Sequence, residues 1–287
     1  MKKIQVGFLM SYDYELLKKA IPPVYAAADS VFIALDENYR TWSGGKITVD
    51  PEFFKWLEEI DVDQKITIYK DNFYVPELTP MQNEVRERKM LAQKMGDKNW
   101  LIQLDSDEYF LNFKKFVRDL HKYDHFLNKP EDNPVQIAAF LLVLYKHVDG
   151  GILYVDNVQR LMVATNFPDY KVGRNTKERV IYTKNILLHE CVSRSEEEVL
   201  TKLRNWGHRE ETNPDQFLEK WRAVNSKNFS EYQDFFYLEP EKWKKLAFVN
   251  GNSIEEINSN LDSTALIPSD WYIRKKNFGQ WFKFLFK

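Results

Sequence analysis

The residues best placed to do chemistry are two carboxylates two positions apart, Asp105 and Asp107, in the run Asp105-Ser106-Asp107-Glu108. An apolar segment, 100–104, leads straight into them. At that spacing a turn after a buried strand directs both carboxylates at one small volume. Hard divalent cations such as Mg²⁺ and Mn²⁺ take oxygen ligands of this kind and retain substrate phosphates in their coordination shell. A diphosphate leaving group carries charge that such an ion neutralises as a Lewis acid. The alternative is a solvated turn, because aspartate is an ordinary turn residue.

The elements upstream must deliver that motif to a ligand. Segments 4–10, 30–35, 65–69 and 100–104 are short apolar runs that read as strands. Between them, 14–28, 51–60 and 80–95 carry apolar residues at helical spacing, with Pro22 and Pro23 marking a break or bent start in the first. Alternating strands and helices predict an α/β fold with a mostly parallel central sheet flanked by helices. Ligands bind such sheets at the carboxyl ends of the strands. The polar residues expected there are Ser11 to Asp13, Asp36 and Glu37, Asp71, and Asp105 to Glu108. Downstream, 135–145 reads as a strand or a buried helix, 150–155, 159–164 and 179–188 as strands, and 195–206 as a helix behind a Ser195-Glu196-Glu197-Glu198 cap. The expected division is a domain over 1–212 (first half about 1–110, second about 130–212) and a mainly helical, aromatic-rich extension over 213–287.

Composition narrows the function classes. Forty-one basic and 43 acidic residues leave a net charge of −2, which excludes nucleic-acid binding by bulk positive charge. A 44% hydrophobic content gives material for a real core. The single Cys191 excludes an intrachain disulfide and, with five scattered histidines, a cysteine-rich zinc module; a reducing cytoplasm is the expected setting. Ten glycines form no phosphate loop, and no Gly-x-Ser-x-Gly elbow is present. Neither a signal peptide nor a spanning helix is expected.

Residues 83–92 (Asn83-Glu84-Val85-Arg86-Glu87-Arg88-Lys89-Met90-Leu91-Ala92) followed by Trp100 to Glu108 resemble the nucleotide-sugar half of family 2 inverting glycosyltransferases with the GT-A fold. Those enzymes usually open a helix with an Arg-Asn pair before the acidic motif; here Arg88 is followed by Lys89, leaving Asn83 and Arg86 as candidates for the second position. Tyr154-Val155-Asp156-Asn157-Val158-Gln159-Arg160-Leu161 and Leu187-Leu188-His189-Glu190 are similar to segments of lipopolysaccharide-core-type members, and Ser195, Glu198, Lys202 and Trp206-Gly207-His208 to the helix that follows.

The resemblance implies inverting transfer of a sugar from a nucleotide donor, a UDP-sugar first, to a glycan or lipid-linked acceptor in surface polysaccharide or lipopolysaccharide synthesis. It implies Mn²⁺ or Mg²⁺ held by Asp105, Asp107 and His189, and a donor site built from Ser11, Asp36, Asp71, Arg86, Arg88, Asp105 and Arg160. Inversion by direct displacement needs a base within reach of the attacking hydroxyl. Asp156 matches the family segment, with Glu190 and Asp149 as the other candidates. Loops 39–48 and 169–177 are the expected seat of specificity.

Two other readings compete. One is a non-catalytic carbohydrate-binding protein on a degenerate transferase scaffold. The other is an aspartate-based phosphotransferase. The tail adds a feature of its own: Trp271, Tyr272, Phe278, Trp281, Phe282, Phe284, Leu285 and Phe286 are interleaved with Arg274, Lys275, Lys276, Lys283 and Lys287. That composition suits peripheral contact with the inner face of a membrane, or equally a helix docked on the domain with its lysines in solvent.

Overall fold

The computed structural model describes residues 3–205, 213–233 and 243–283. The expectations at Trp206 to His208, at Thr212 and at 284–287 lie outside the described residues. The chain begins as its pattern dictates. Strands β1 (Ile4–Met10), β2 (Ser30–Asp36), β3 (Ile66–Asp71) and β4 (Trp100–Asp105) alternate with helices α1 (Leu17–Tyr25), α2 (Pro51–Ile60) and α3 (Pro80–Met95). Local chemistry fixes the helix starts. Asp50 caps α2 with Pro51 at its first position, and Thr79 and Gln82 form a reciprocal capping box ahead of α3. Helix α1 runs through Pro22 and Pro23, entered by a 3-10 turn at Tyr14–Leu16 and ending at Tyr25.

The remaining elements are β5 (Glu108–Phe110), α4 (Phe113–His121), β6 (Val135–Val148), β7 (Gly151–Val155), β8 (Gln159–Thr165), β9 (Arg179–His189), α5 (Glu196–Asn205), α6 (Pro214–Ala223), β10 (Leu246–Asn250), α7 (Ile254–Asn260), α8 (Ser263–Leu266) and α9 (Asp270–Lys283). They make one 10-stranded sheet in the order β10-β7-β6-β8-β4-β1-β2-β3, with β9 beside β6 and β5 beside β9. The expected parallel arrangement holds only for β3-β2-β1-β4. Beyond β4 the neighbours are antiparallel except for β6 with β9, so the sheet is mixed. The physical cause is the change in connection. The short turn at 149–150 returns β6 antiparallel into β7, and the chain keeps that direction through β8, so both lie antiparallel along β6, whereas parallel neighbours need a crossover.

Segment 135–145, open between strand and helix in the sequence, is strand. Its first eleven residues are all buried: β7, β8 and β9 pair along its edges, and its side chains enter two core clusters, Val143 and Tyr145 in one and residues such as Ile137, Leu142 and Leu144 in the other. The C-terminal extension is not wholly helical, since β10 joins the sheet edge beside β7. Among the described residues no helix is long and apolar enough to cross a membrane.

Strand alternation sorts the core. Val6, Phe8, Ile33, Ile102 and Leu104 point to one face, over α1 and α4, while Leu9, Ala34 and Leu101 meet Leu91, Ala92 and Met95 of α3 on the other. Helix α3 lies close because β1 carries Gly7 there; a Cβ at that position would sit 2.8 Å from the Met95 sulfur.

Candidate functional site

A cavity of about 440 Å³ opens at the carboxyl ends of β1, β2 and β4, and is lined by Ser11, Asp13, Asp36, Glu84, Glu87, Arg88, Asp105, Asp107, Glu108, Arg160, Arg174, His189 and Lys202, among others. The alternation that buries Leu101 against α3 also turns Gln103 and Asp105 to that side. The Gln103 amide donates to the Arg88 carbonyl at 2.8 Å. The Arg88 guanidinium then donates to Asp105 Oδ1 at 2.7 Å and to Glu84 at 2.9 Å. From the loop between β8 and β9, Arg174 forks onto Glu108 with two 2.6 Å bonds and lies 3.6 Å from Asp105 Oδ2. Such planar, bidentate pairing is what a guanidinium does best.

Asp107 is reached by a different route. Strand β5 pairs antiparallel with β9, placing Glu108 opposite His189, and the Glu190 N–H donates to the Asp107 carbonyl at 2.9 Å. The His189 ring nitrogen Nε2 therefore lies 3.2 Å from Asp107 Oδ2. Lys202 of α5 approaches the same oxygen to 2.5 Å, and Arg194 also donates to it. Arg194 reaches Asp13 as well, at 3.1 Å, and Asp13 accepts from Ser106 Oγ at 2.7 Å. Helix α5 is held in register by Ser195 and Glu198, which cap its start reciprocally.

All three charged groups on that oxygen's network are buried: Asp107, Arg194 and Lys202. Burial pushes the Asp107 carboxyl up, but Lys202, His189 and Arg194 overcome it and hold the group well below the usual carboxylate range. Asp105 behaves likewise: burial raises it, and Arg88 with Arg174 bring it below its ordinary value. Both aspartates of the motif are ionised at neutral pH.

Glu87 is the exception on the cavity wall. Burial pushes it up to about 8, against the opposing bond from the Trp42 indole N–H at 2.5 Å. It holds its proton at neutral pH. The other lining carboxylates, Asp13, Asp36, Glu84, Asp105, Asp107 and Glu108, outnumber the lining cations Arg40, Arg88, Arg160, Arg174 and Lys202. Four of those five cations are bonded to a carboxylate; Arg160 donates to the Tyr182 hydroxyl at 2.9 Å. The wall therefore offers an incoming diphosphate little uncommitted positive charge.

The expected metal ligands Asp105, Asp107 and His189 all line this cavity. Among the described residues, however, no three His, Cys, Asp or Glu side chains form a preassembled cation site, and Asp107 Oδ2 is taken by basic groups. The donor chemistry does fit a hard divalent ion: ionised Asp105, with 32% of its side chain open, is flanked by the Asp107–His189 pair.

Of the expected donor-site residues, Ser11, Asp36, Arg88, Asp105 and Arg160 line the cavity, whereas Asp71 and Arg86 do not. Asp71 accepts from Tyr69 Oη at 2.6 Å, and Arg86 donates to the Asn72 carbonyl and the Met90 sulfur, because both face the outer side of the β3–α3 corner. Asp36 is buried beneath the wall. Its oxygens accept from the backbone of Asn38, Arg40, Phe73 and Tyr74, tying the loops after β2 and β3 together. Its carboxylate is a loop anchor, and not an open partner for a nucleobase or ribose.

The expected bases are also elsewhere. Asp156 is exposed in the β7–β8 turn, Asp149 is exposed in the β6–β7 turn, and neither lines the cavity. Glu190 is buried off the cavity, where Tyr109 Oη donates to it at 2.6 Å and Lys19 at 2.8 Å.

Sequence reasoning missed Arg174, Arg194, Glu84 and Glu87 as members of the site. Glu84 and Arg88 sit one turn apart on α3, and Asn83, Glu87 and Arg88 are buried along with Leu91 and Met95. Charged residues on an apolar helical stripe were the available signal. Arg174 and Arg194 lie in irregular segments, where no periodicity marks them. The two loops expected to carry specificity do reach the cavity, through Arg40 and Trp42 from one and Val172, Gly173, Arg174 and Asn175 from the other.

No family model matches the chain, and no curated protein matches it. Among solved structures, mannose-6-phosphate isomerase from Helicobacter pylori aligns with 93% of this chain and 94% of its own, at 13% identity and a TM-score of 0.27. A likeness at that level carries no argument about fold or activity.

Proposed function

We propose that the chain is a glycosyltransferase that takes its sugar from a nucleoside-diphosphate donor, with Mn²⁺ or Mg²⁺ arriving together with the donor. The observation that supports this most is the charge balance at the strand ends. Two ionised aspartates, Asp105 and Asp107, face a cavity whose basic side chains are almost all committed to carboxylates. A diphosphate entering such a cavity must bring positive charge with it. A divalent ion held by Asp105 would supply that charge, since Mg²⁺ in general binds through one or two carboxylates plus substrate phosphates. Asp105 would be its principal ligand, with Asp107 and His189 beside it. Bound there, the ion would supply Lewis-acid stabilisation of the leaving diphosphate.

The chain's own residues have separate tasks. Arg88 and Arg174 keep Asp105 ionised and fixed. Lys202 and Arg194 do the same for Asp107 from behind. On the cavity wall, the Trp42 ring and the Arg40 guanidinium, whose central carbon lies 4.9 Å from the Tyr74 ring centre, would offer planar surfaces for a nucleobase. A GT-A-like arrangement belongs to the same proposal. Strands β3-β2-β1-β4 make the parallel nucleotide half, and the antiparallel strands after β4 make the acceptor half, for a glycan or lipid-linked acceptor in surface polysaccharide synthesis.

The test is release of nucleoside diphosphate from a panel of UDP-, GDP-, ADP- and CDP-sugars with Mn²⁺ present. Turnover of one donor, lost in Asp105→Asn and in excess chelator, supports the proposal. A folded protein that turns over none of them, yet binds a glycan without nucleotide, favours the non-catalytic reading.

A further inference from the structure

Helix α9 turns an aromatic, basic face away from the protein, and we propose that this face docks on an anionic lipid bilayer. Eight large apolar side chains are exposed among the described residues, and five of them are on α9. Trp271 (69% exposed), Phe278 (65%) and Phe282 (48%) recur at i, i+7 and i+11, which is a single stripe of a helix. Trp281 (58%) flanks that stripe.

The helix cannot rotate to bury this stripe, because its opposite side is pinned. Ile273 is buried there. Asn277 accepts from the Tyr182 N–H at 2.7 Å and donates to the Tyr182 carbonyl at 3.1 Å, and Gln280 accepts from the Val180 N–H at 3.1 Å. Those two amides take the hydrogen bonds that a neighbouring strand would make along β9. Lys184 also pairs with Asp270 at the start of the helix. The orientation is thus fixed by polar groups on one side, and the aromatic stripe is left facing solvent.

Charge selects the occupant. Residues 271–283 contain Arg274, Lys275, Lys276 and Lys283 and no acidic residue. Lys275 lies 4.8 Å from the Trp271 ring, beside the stripe, and Lys276 lies 5.3 Å from the Tyr272 ring on the flank of the helix, so cations border the exposed aromatic rings. A second copy of the chain docking through the same patch would set these lysines against each other, and lysine is depleted from protein–protein interface cores. An anionic headgroup layer attracts them, while Trp and Phe insert at the boundary with the acyl chains. The fourteen described residues of α9 measure about 21 Å, enough to lie in the interface plane and shorter than a bilayer-spanning helix.

Vesicle co-sedimentation tests this, with phosphatidylcholine vesicles alone and with about one-third phosphatidylglycerol. The full chain should sediment with the anionic vesicles and be released by salt. The variant Arg274→Gln/Lys275→Gln/Lys276→Gln should bind on the order of a hundredfold more weakly, since each basic residue near such a surface contributes about a fivefold factor. Trp271→Ser/Phe278→Ser/Phe282→Ser should lose binding at all salt concentrations. Both variants should melt with the wild type, because Ile273, Asn277 and Gln280 are untouched. No binding of wild type to anionic vesicles at low salt overturns the proposal. So does a wild-type dimer by light scattering that becomes monomeric in the serine variant.

Discussion

The ammonium of Lys202 lies 2.5 Å from Oδ2 of Asp107, and that same oxygen accepts from Arg194 and faces His189. The second aspartate of the acidic motif is thus the point where β5, β9 and α5 are held together by charge. It is a structural anchor as well as part of the proposed site. The two roles have to be separated by experiment.

Asp107→Ala removes the carboxylate that balances two buried cations, Arg194 and Lys202. Breaking a buried pair by deleting one partner typically costs about 3–5 kcal/mol. Urea unfolding should show a loss of that size. Adding Lys202→Met to Asp107→Ala should cost less than the two changes measured separately, because the groups form one network. Strict additivity would mean that the ion pair carries no coupling.

Asp105→Asn is the cleaner probe of ligand binding. Asp105 is partly open, and Arg88 keeps Glu84 as a partner when the charge is removed. The melting temperature should change by only a few degrees, corresponding to about 1 kcal/mol. Stabilisation by nucleotide plus Mn²⁺ should disappear. Retention of that stabilisation would remove Asp105 from the metal site.

The pH dependence of stability contains two opposing contributions. Asp107 titrates below its ordinary 3.8 in the folded chain, so its contribution is full above about pH 4 and is lost as the pH falls through that depressed value. Glu87 is raised from 4.5 to about 8, so the folded state binds this proton more tightly than the unfolded chain. Its effect is a stability that declines as the pH rises from 4.5 to about 8. Glu87→Gln keeps an acceptor for the Trp42 N–H and removes the titration. Compared with wild type, this variant should gain stability at about pH 8 relative to about pH 5. A parallel pH profile for the two proteins would place the Glu87 titration elsewhere.

Gly151→Ala tests the attachment of β10. A Cβ there would fall on the Val249 carbonyl oxygen of the paired strand, and backbone cannot move aside as a side chain tip can. Overpacking of this kind costs about 1–3 kcal/mol. Hydrogen exchange should show protection lost first along Leu246–Asn250. Unchanged protection there would mean that the pairing tolerates the methyl group.

The parallel half of the fold was legible because each of its elements has a single periodicity and a boundary residue of definite chemistry. Strand Ile4–Met10 and helices Pro51–Ile60 and Pro80–Met95 fall where the pattern puts them, two of them behind a capped proline start. The antiparallel half was not legible as topology. A fully buried run such as Val135–Tyr145 has no alternation to distinguish strand from helix, and β10 is a five-residue strand whose identity depends on pairing with β7. In the site, Asp105, Asp107, Arg88 and His189 could be found from their positions at element ends or on α3. Their buried counter-charges could not, because Arg174 and Arg194 acquire meaning only through the β8–β9 loop and the β9–α5 connection that carry them to Glu108 and Asp107. The carboxylates Asp156 and Glu190 illustrate the converse: a sequence neighbourhood like that of an active site gives no access to the cavity when the side chain is exposed on a remote turn or buried off the wall.

The central claim, that the cavity binds a nucleoside diphosphate together with a divalent cation, is tested most directly by thermal-shift titration with UDP, GDP, CDP and ADP, each with Mn²⁺ and with chelator. Ligands that bind only the native state raise its stability in proportion to the logarithm of their concentration. One nucleotide with Mn²⁺ should raise the melting temperature, while Mn²⁺ alone and that nucleotide in chelator should leave it unchanged. An equal rise with the nucleotide in chelator, or a flat response to all four with the protein folded, would contradict the account.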